Sequence, residues 1–144
     1  MDKEVLAIEN IMLNVAVNSK EEAIRLAGKI LVKNGYVNES YVDSMIEREE
    51  LTTTFMGNFI SIPHGTDASK KEILESGISI LQIPEGVDFG NGNISKVVFG
   101  IAGKGDGHLE ILSKIAILCS ELDNVEKFVG TQSSEDIMQL FKDN

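Results

Sequence analysis

Two histidines, His64 and His108, are the only imidazoles in this 144-residue chain, and each stands where a reactive group can be presented. His64 lies between Pro63 and Gly65, after the alternation Ile60-Ser61-Ile62. That pattern predicts a side chain emerging where a short half-buried strand stops. Loops fixed by a sheet carry a large share of catalytic residues. His108 follows Gly103-Lys104-Gly105-Asp106-Gly107 and opens an apolar helical run, and the free N–H groups of a helix start favour an anion. An imidazole nitrogen can itself accept a phosphoryl group, given in-line positioning and positive groups facing the phosphoryl oxygens. Arg48, inside Glu47-Arg48-Glu49-Glu50, and His108 are the candidates for that support. The plainer alternatives are that His64 is an ordinary loop histidine and that His108 merely begins its helix.

Other chemistries find little footing. Cys119, the single cysteine, belongs to an apolar helical stripe, and no glycine-flanked serine elbow is present. A Ser/His/Asp or Cys/His nucleophile is therefore not expected, and a hydrolase built on a His64/Asp67 pair would lack its nucleophile. The glycine loop before His108 lacks the GxxxxGK-Ser/Thr pattern of a phosphate-cradling nucleotide site. One cysteine and two histidines 44 positions apart exclude a disulfide framework and argue against a zinc site, so neither metal nor cofactor is expected. The net charge of −10, from 23 acidic and 13 basic side chains, argues against nucleic acid as a partner. An acidic surface attracts a basic protein patch, although solubility alone would explain it equally well. No apolar run approaches the roughly 20 residues of a bilayer helix, so no membrane insertion is expected. Met1-Asp2-Lys3-Glu4-Val5 is too polar for a secretory signal, which points to the cytoplasm.

These residues must be held by a scaffold of one domain's length, able to bury roughly two thirds of its unfolded surface. Odd-numbered apolar residues from Ile11 to Val17 predict a first strand. Ser19 with Glu22 forms a capping box before Ala23, Ile24, Ala27, Ile30 and Leu31, and Gly35 stops that helix. Ser40 with Asp43 predicts a second capped helix to about Glu50. Leu51–Met56 and Phe59–Ile62 read as strands around a Gly57-Asn58 turn. Asp67 to Glu75 allows a short helix. Gly77–Ile83, ended by Pro84-Glu85-Gly86, and Val97–Ala102 read as strands buried on both faces, which calls for helices above and below. The run from His108 to Cys119 predicts a helix packed over much of its circumference, with Leu109, Leu112, Ala116 and Cys119 as one stripe. Short helices follow at Asn124–Val129 and after a Ser133/Asp136 cap.

Several runs together resemble a known family. These are Arg48-Glu49 through Thr53-Thr54-Phe55-Met56-Gly57-Asn58, Ile62-Pro63-His64-Gly65-Thr66-Asp67, Leu81-Gln82-Ile83-Pro84-Glu85-Gly86-Val87, Val98 to Lys104, Gly107-His108-Leu109 and Leu112 to Ala116. They resemble the mannitol/fructose-class IIA component of the phosphoenolpyruvate-dependent sugar phosphotransferase system, over residues 1–144 as a single domain. Thr54-Phe55-Met56-Gly57-Asn58 and Leu81 to Asp88 point to its mannitol-specific members; fructose-class and nitrogen-regulatory relatives share the Pro-His-Gly core.

The resemblance implies an α/β fold, a mixed and about five-stranded sheet with helices on both faces, which agrees with the five strands read above. It implies that His64 is the phosphohistidine, receiving phosphate from the phosphocarrier HPr and passing it to the cysteine of the IIB domain of the mannitol permease (IIB/IIC). It matches His108 to the second active-site histidine and Arg48 to its supporting arginine. Phe59 and Ser61 depart from the smaller or more aliphatic residues the family leads one to expect. A different reading keeps the same shape but makes histidine phosphorylation a regulatory signal.

Overall fold

The computed structural model describes residues 4–105 and 109–142. The chain forms β1 (Ile11–Met12), α1 (Lys20–Lys33), α2 (Ser40–Leu51), β2 (Phe55–Gly57), β3 (Ile60–Ser61), a 3₁₀ segment (Asp67–Glu72), β4 (Gly77–Asp88), β5 (Ile94–Ala102), α3 (Leu109–Cys119), α4 (Leu122–Gly130) and α5 (Ser134–Lys142). The five strands make one sheet in the order β1-β4-β5-β3-β2. The β1/β4 and β3/β5 pairs are parallel, whereas β4/β5 and β2/β3 are antiparallel. This is the expected mixed sheet.

Alternation along the two central strands produces a layer on each side. Leu81, Ile83, Val98 and Ala102 join the core under α1 and α2 with Ala23, Ile24, Ala27, Leu31 and Met45. Ile78, Ile80, Val97, Phe99 and Ile101 join the opposite core with Ile115, Leu118, Phe128, Ile137 and Phe141 from α3, α4 and α5. Fully burying such a side chain contributes roughly 1.5–3 kcal/mol. Phe99 sits edge-on to Phe128 and Phe141, with centroids 5.9 and 6.5 Å apart, which adds orientation to the burial. Gly100 lets α1 approach the sheet, since a Cβ there would overlap Ser79 Oγ and lie 3.0 Å from Ala27 Cβ.

Several local expectations change, each for an identifiable reason. The strand expected over Ile11–Val17 shrinks to two residues because Asn14 turns the chain at φ 53°, a conformation asparagine tolerates. Gln82 then accepts the Asn14 N–H through Oε1 at 2.9 Å and the Val15 N–H through its backbone oxygen at 2.8 Å. Pro84-Glu85-Gly86 does not end β4. A register shift between Gln82 and Val87, with Gly86 at φ 79°, absorbs the proline and the strand runs on to Asp88.

The expected Ser19 cap is present, its Oγ accepting the Glu22 N–H at 3.1 Å. Ser40 is not a cap: Glu39 holds that position, and the Ser40 hydroxyl donates instead to Glu72 Oε2 at 2.7 Å, a charge-assisted bond. The threonine-rich segment after α2 folds back on the helix, because buried Glu49 accepts both the Thr54 N–H (2.9 Å) and its hydroxyl (2.6 Å). Gly57 pairs with Ile60, so the hairpin turn is Asn58-Phe59, at φ 50° and 67°, one residue later than Gly57-Asn58. Helix α3 buries only Ile115, Leu118 and Cys119 among its residues; Leu109 and Ile117 are exposed, so packing is confined to one side.

Candidate functional site

β3 ends at Ser61, and β5 continues to steer the chain beyond it. The Ile101 N–H donates to Pro63 O at 2.9 Å, and His64 forms a single parallel bridge with Ile101. His64 is thereby carried on the sheet although it stands outside a strand, half-buried. Its Nδ1 lies 3.1 Å from the carbonyl oxygen of Gly65. A carbonyl only accepts, so Nδ1 carries the proton in this contact. Nε2 has no hydrogen-bond partner among the described residues.

The loop after His64 is braced from below. The Gly65 N–H donates to the hydroxyl of Tyr41 at 2.9 Å, and that hydroxyl donates to Ile101 O at 2.8 Å. Ser44 Oγ donates to Tyr41 O, and Ser69 Oγ to Thr66 O, both at 2.6 Å. A Cβ on Gly65 would lie 2.5 Å from Ser69 Oγ and Tyr41 Cε1 and 2.6 Å from Ser44 Oγ, so only glycine fits. Farther along, Glu72 accepts from Ser40 and Asn38, which holds its carboxyl below the ordinary range and ties the 3₁₀ segment to the start of α2.

His64 opens onto a cavity of about 400 Å³ whose walls include Thr66, Lys70, Ile101, Gly103 and Leu112. Lys70 is a cation on this wall, its Nζ 3.9 Å from Asp67 Oδ1 and largely solvated. A larger, open depression of about 730 Å³ between α4 and α5 is rimmed by Asp123, Glu126 and Asp136. It holds no histidine, arginine or cysteine, whereas the smaller cavity carries His64.

Of the three residues singled out from the sequence, His64 lies on the cavity wall. His108 lies outside the described residues; Gly105 and Leu112, on either side of it in the chain, both line the cavity. Arg48 sits in the last turn of α2 and donates from Nη1 to Thr52 O at 2.8 Å, and it is not among the cavity-lining residues. Tyr41 and Lys70 also line the cavity. Lys70 stands out in the sequence only as half of the basic pair Lys70-Lys71, and nothing local marks Tyr41, whose partners lie 24 and 60 positions away.

Burial pushes the Cys119 thiol up to about 12, so it is no nucleophile at neutral pH. Burial also raises the Tyr41 phenol, against a smaller opposing effect of the Gly65 hydrogen bond, and keeps it protonated as the two-sided bridge requires. Among the described residues, no three His, Cys, Asp or Glu side chains gather as a metal-ligating group, and no helix is long and apolar enough to cross a membrane.

The whole chain has close counterparts among known proteins. The mannitol-specific phosphotransferase enzyme IIA component of Bacillus subtilis (strain 168) is 61% identical over 140 residues, covering 97% of this chain and 98% of its own. The crystal structure of IIA mannitol from Escherichia coli superposes with a TM-score of 0.87 at 38% identity, over 94% of this chain and 97% of the other. A complex of enzyme IIA and phosphorylated enzyme IIB for mannitol, also from E. coli, matches with a TM-score of 0.87 at 34% identity, over 96% and 97% of the two chains. Residues 4–144 match the family described as phosphoenolpyruvate-dependent sugar phosphotransferase system, EIIA 2. With these matches the chain belongs to the EIIA 2 family of the phosphoenolpyruvate-dependent sugar phosphotransferase system.

Proposed function

We propose that residues 1–144 work as one IIA domain, a cytoplasmic phosphoryl carrier for mannitol uptake, with His64 as the group that is phosphorylated. The observation that carries this reading is the Nδ1–H bond to Gly65 O, which leaves the lone pair on Nε2 of a residue that lines the cavity. Nε2 attacks the phosphorus of the phosphohistidine on HPr. A new P–Nε2 bond forms, the donor P–N bond breaks, and its electron pair returns to the carrier's imidazole. In the second step the thiolate of the mannitol IIB cysteine attacks phosphorus, and the P–Nε2 pair returns to His64.

While Nε2 carries the phosphoryl group, the ring gains positive character, and the Gly65 carbonyl dipole opposite Nδ1–H stabilises it. His108 and Arg48 are assigned to the phosphoryl oxygens by resemblance. Lys70, on the cavity wall, supplies a further cation near them. Because the group must leave again, the phosphorylated state is held only moderately. Mannitol as the sugar is supported by the names of relatives up to 61% identical and by the IIA–IIB complex of the E. coli relative.

The test is a relay. The protein is labelled through phosphorylated HPr and then offered a mannitol IIB domain or a fructose IIB domain. Rapid loss of label to the mannitol acceptor, with slow loss to the fructose acceptor, is expected. Retention of label with both, or preference for fructose, would overturn the mannitol assignment and favour a signalling or fructose role.

A further inference from the structure

We propose that Tyr41 is a positioning residue of this site: its buried hydroxyl, bridging the Gly65 N–H and the Ile101 carbonyl, sets which nitrogen of His64 is free to react. The proposal rests on the reading of His64 as the phosphoryl acceptor and names the residue that prepares it.

The inference begins with proton bookkeeping at one oxygen. A phenol has a single proton, and Ile101 O at 2.8 Å can only accept it. The same oxygen must then accept from the Gly65 N–H at 2.9 Å. Both capacities of the hydroxyl are used, and neither backbone partner can reverse its role. Ile101 also donates its own N–H to Pro63 O at 2.9 Å, so one residue of β5 braces the chain on both sides of His64: directly before it, and through Tyr41 after it.

The far end of this brace is the Gly65 carbonyl, 3.1 Å from Nδ1. With the Gly65 N–H pinned and the space around its Cα occupied by Tyr41, Ser44 and Ser69, rotation of the neighbouring peptide is restricted, and its oxygen stays aimed at Nδ1. Tyr41 is itself fixed. It is 2% exposed, its N–H donates to Asn38 O, and its carbonyl accepts from Ser44 Oγ. Tyr41 does not line the cavity merely as apolar filling; it holds the acceptor that selects the Nδ1–H tautomer.

The test uses Tyr41→Phe, read by ¹⁵N NMR of the His64 ring in unphosphorylated protein under alkaline conditions where the imidazole is neutral. The ratio of Nδ1–H to Nε2–H tautomer is expected to fall about fivefold, the amount one neutral hydrogen bond carries. The initial rate of phosphoryl acceptance from HPr should fall in proportion to the remaining fraction of the Nδ1–H tautomer. Tyr36→Phe is the control: it removes another buried hydroxyl, one bonded to Glu4 O and Asn10, so it should lower stability and leave the His64 spectrum unchanged.

A folded Tyr41→Phe protein with the wild-type tautomer ratio would overturn the proposal, as would an equal change in Tyr36→Phe. Should Tyr41→Phe not fold, fluorotyrosine incorporated in the Tyr36→Phe background alters the Tyr41 hydroxyl alone, and an unmoved His64 ratio has the same consequence. Because the tautomer is read without phosphate, these outcomes are separate from a failure of His64 to be phosphorylated, which would sink the functional reading instead.

Discussion

Replacing Gly65 by alanine tests the tight packing under the reactive histidine. The added Cβ would meet Ser69 Oγ and Tyr41 Cε1 at 2.5 Å and Ser44 Oγ at 2.6 Å. Ordinary contacts begin near 3.5 Å, so the loop must move by about 1 Å. Overpacking of this kind costs about 1–3 kcal/mol, and loss of the Gly65 N–H bond to Tyr41 adds about 1 kcal/mol. For a chain of this length the resulting 2–4 kcal/mol lowers Tm by about 4–16 °C.

The same displacement withdraws the carbonyl that holds Nδ1–H. A misplacement of about 1 Å costs roughly 10²-fold in rate. Thermal unfolding followed by circular dichroism, with rapid-mixing transfer from phosphorylated HPr, measures both effects. Gly130→Ala is the counterpart: nothing lies within 4 Å of its Cβ, it ends α4, and its φ is not in the left-handed region, so stability should hold or rise by up to about 1 kcal/mol. Gly65→Ala with wild-type Tm and a rate within twofold would refute the packing argument.

Two further substitutions test buried polar groups away from the reaction. Cys119 is held protonated up to about 12, whereas an unfolded thiol titrates near 8.5. Between those values the unfolded state has lost a proton that the native state keeps, so stability present below about pH 8.5 falls by about 1.4 kcal/mol per pH unit above it. Denaturation series at successive alkaline pH should show a shallower slope for Cys119→Ala; Tyr41, raised with the same sign, keeps part of the slope in both proteins, and equal slopes would contradict the burial of the thiol. Ser61 is fully buried opposite Phe55 and Val98, and its Oγ has no partner among the described residues. Ser61→Ala should raise stability by about 1 kcal/mol in urea titrations at unchanged m, and a loss would mean the hydroxyl is satisfied.

What the sequence made legible was the part governed by near neighbours. The alternation Ile60-Ser61-Ile62 closed by Pro63 and Gly65 located His64 at a strand exit, and the nearly continuous apolar runs at Gly77–Ile83 and Val97–Ala102 foretold two strands buried on both faces. Features decided by distant contacts were not legible. Ser40 reads as a cap in the sequence because its alternative partner, Glu72, is 32 positions away. The stripe read on α3 misjudged coverage, since Leu109 and Ile117 are as apolar as Ile115 and Leu118, and only the placement of sheet and neighbouring helices leaves them exposed. Nothing in the sequence singles out Tyr41, because its bridge exists only where β5 and the His64 loop meet.

The most direct measurement is made on the phosphorylated protein itself. After transfer from HPr, ¹⁵N and ³¹P NMR identify the residue and the ring nitrogen bonded to phosphorus. Phosphate on Nε2 of His64, with Nδ1 still protonated against Gly65 O and no incorporation in His64→Ala, is the expected result. Phosphate on Nδ1 of His64, or full incorporation in His64→Ala, would contradict it.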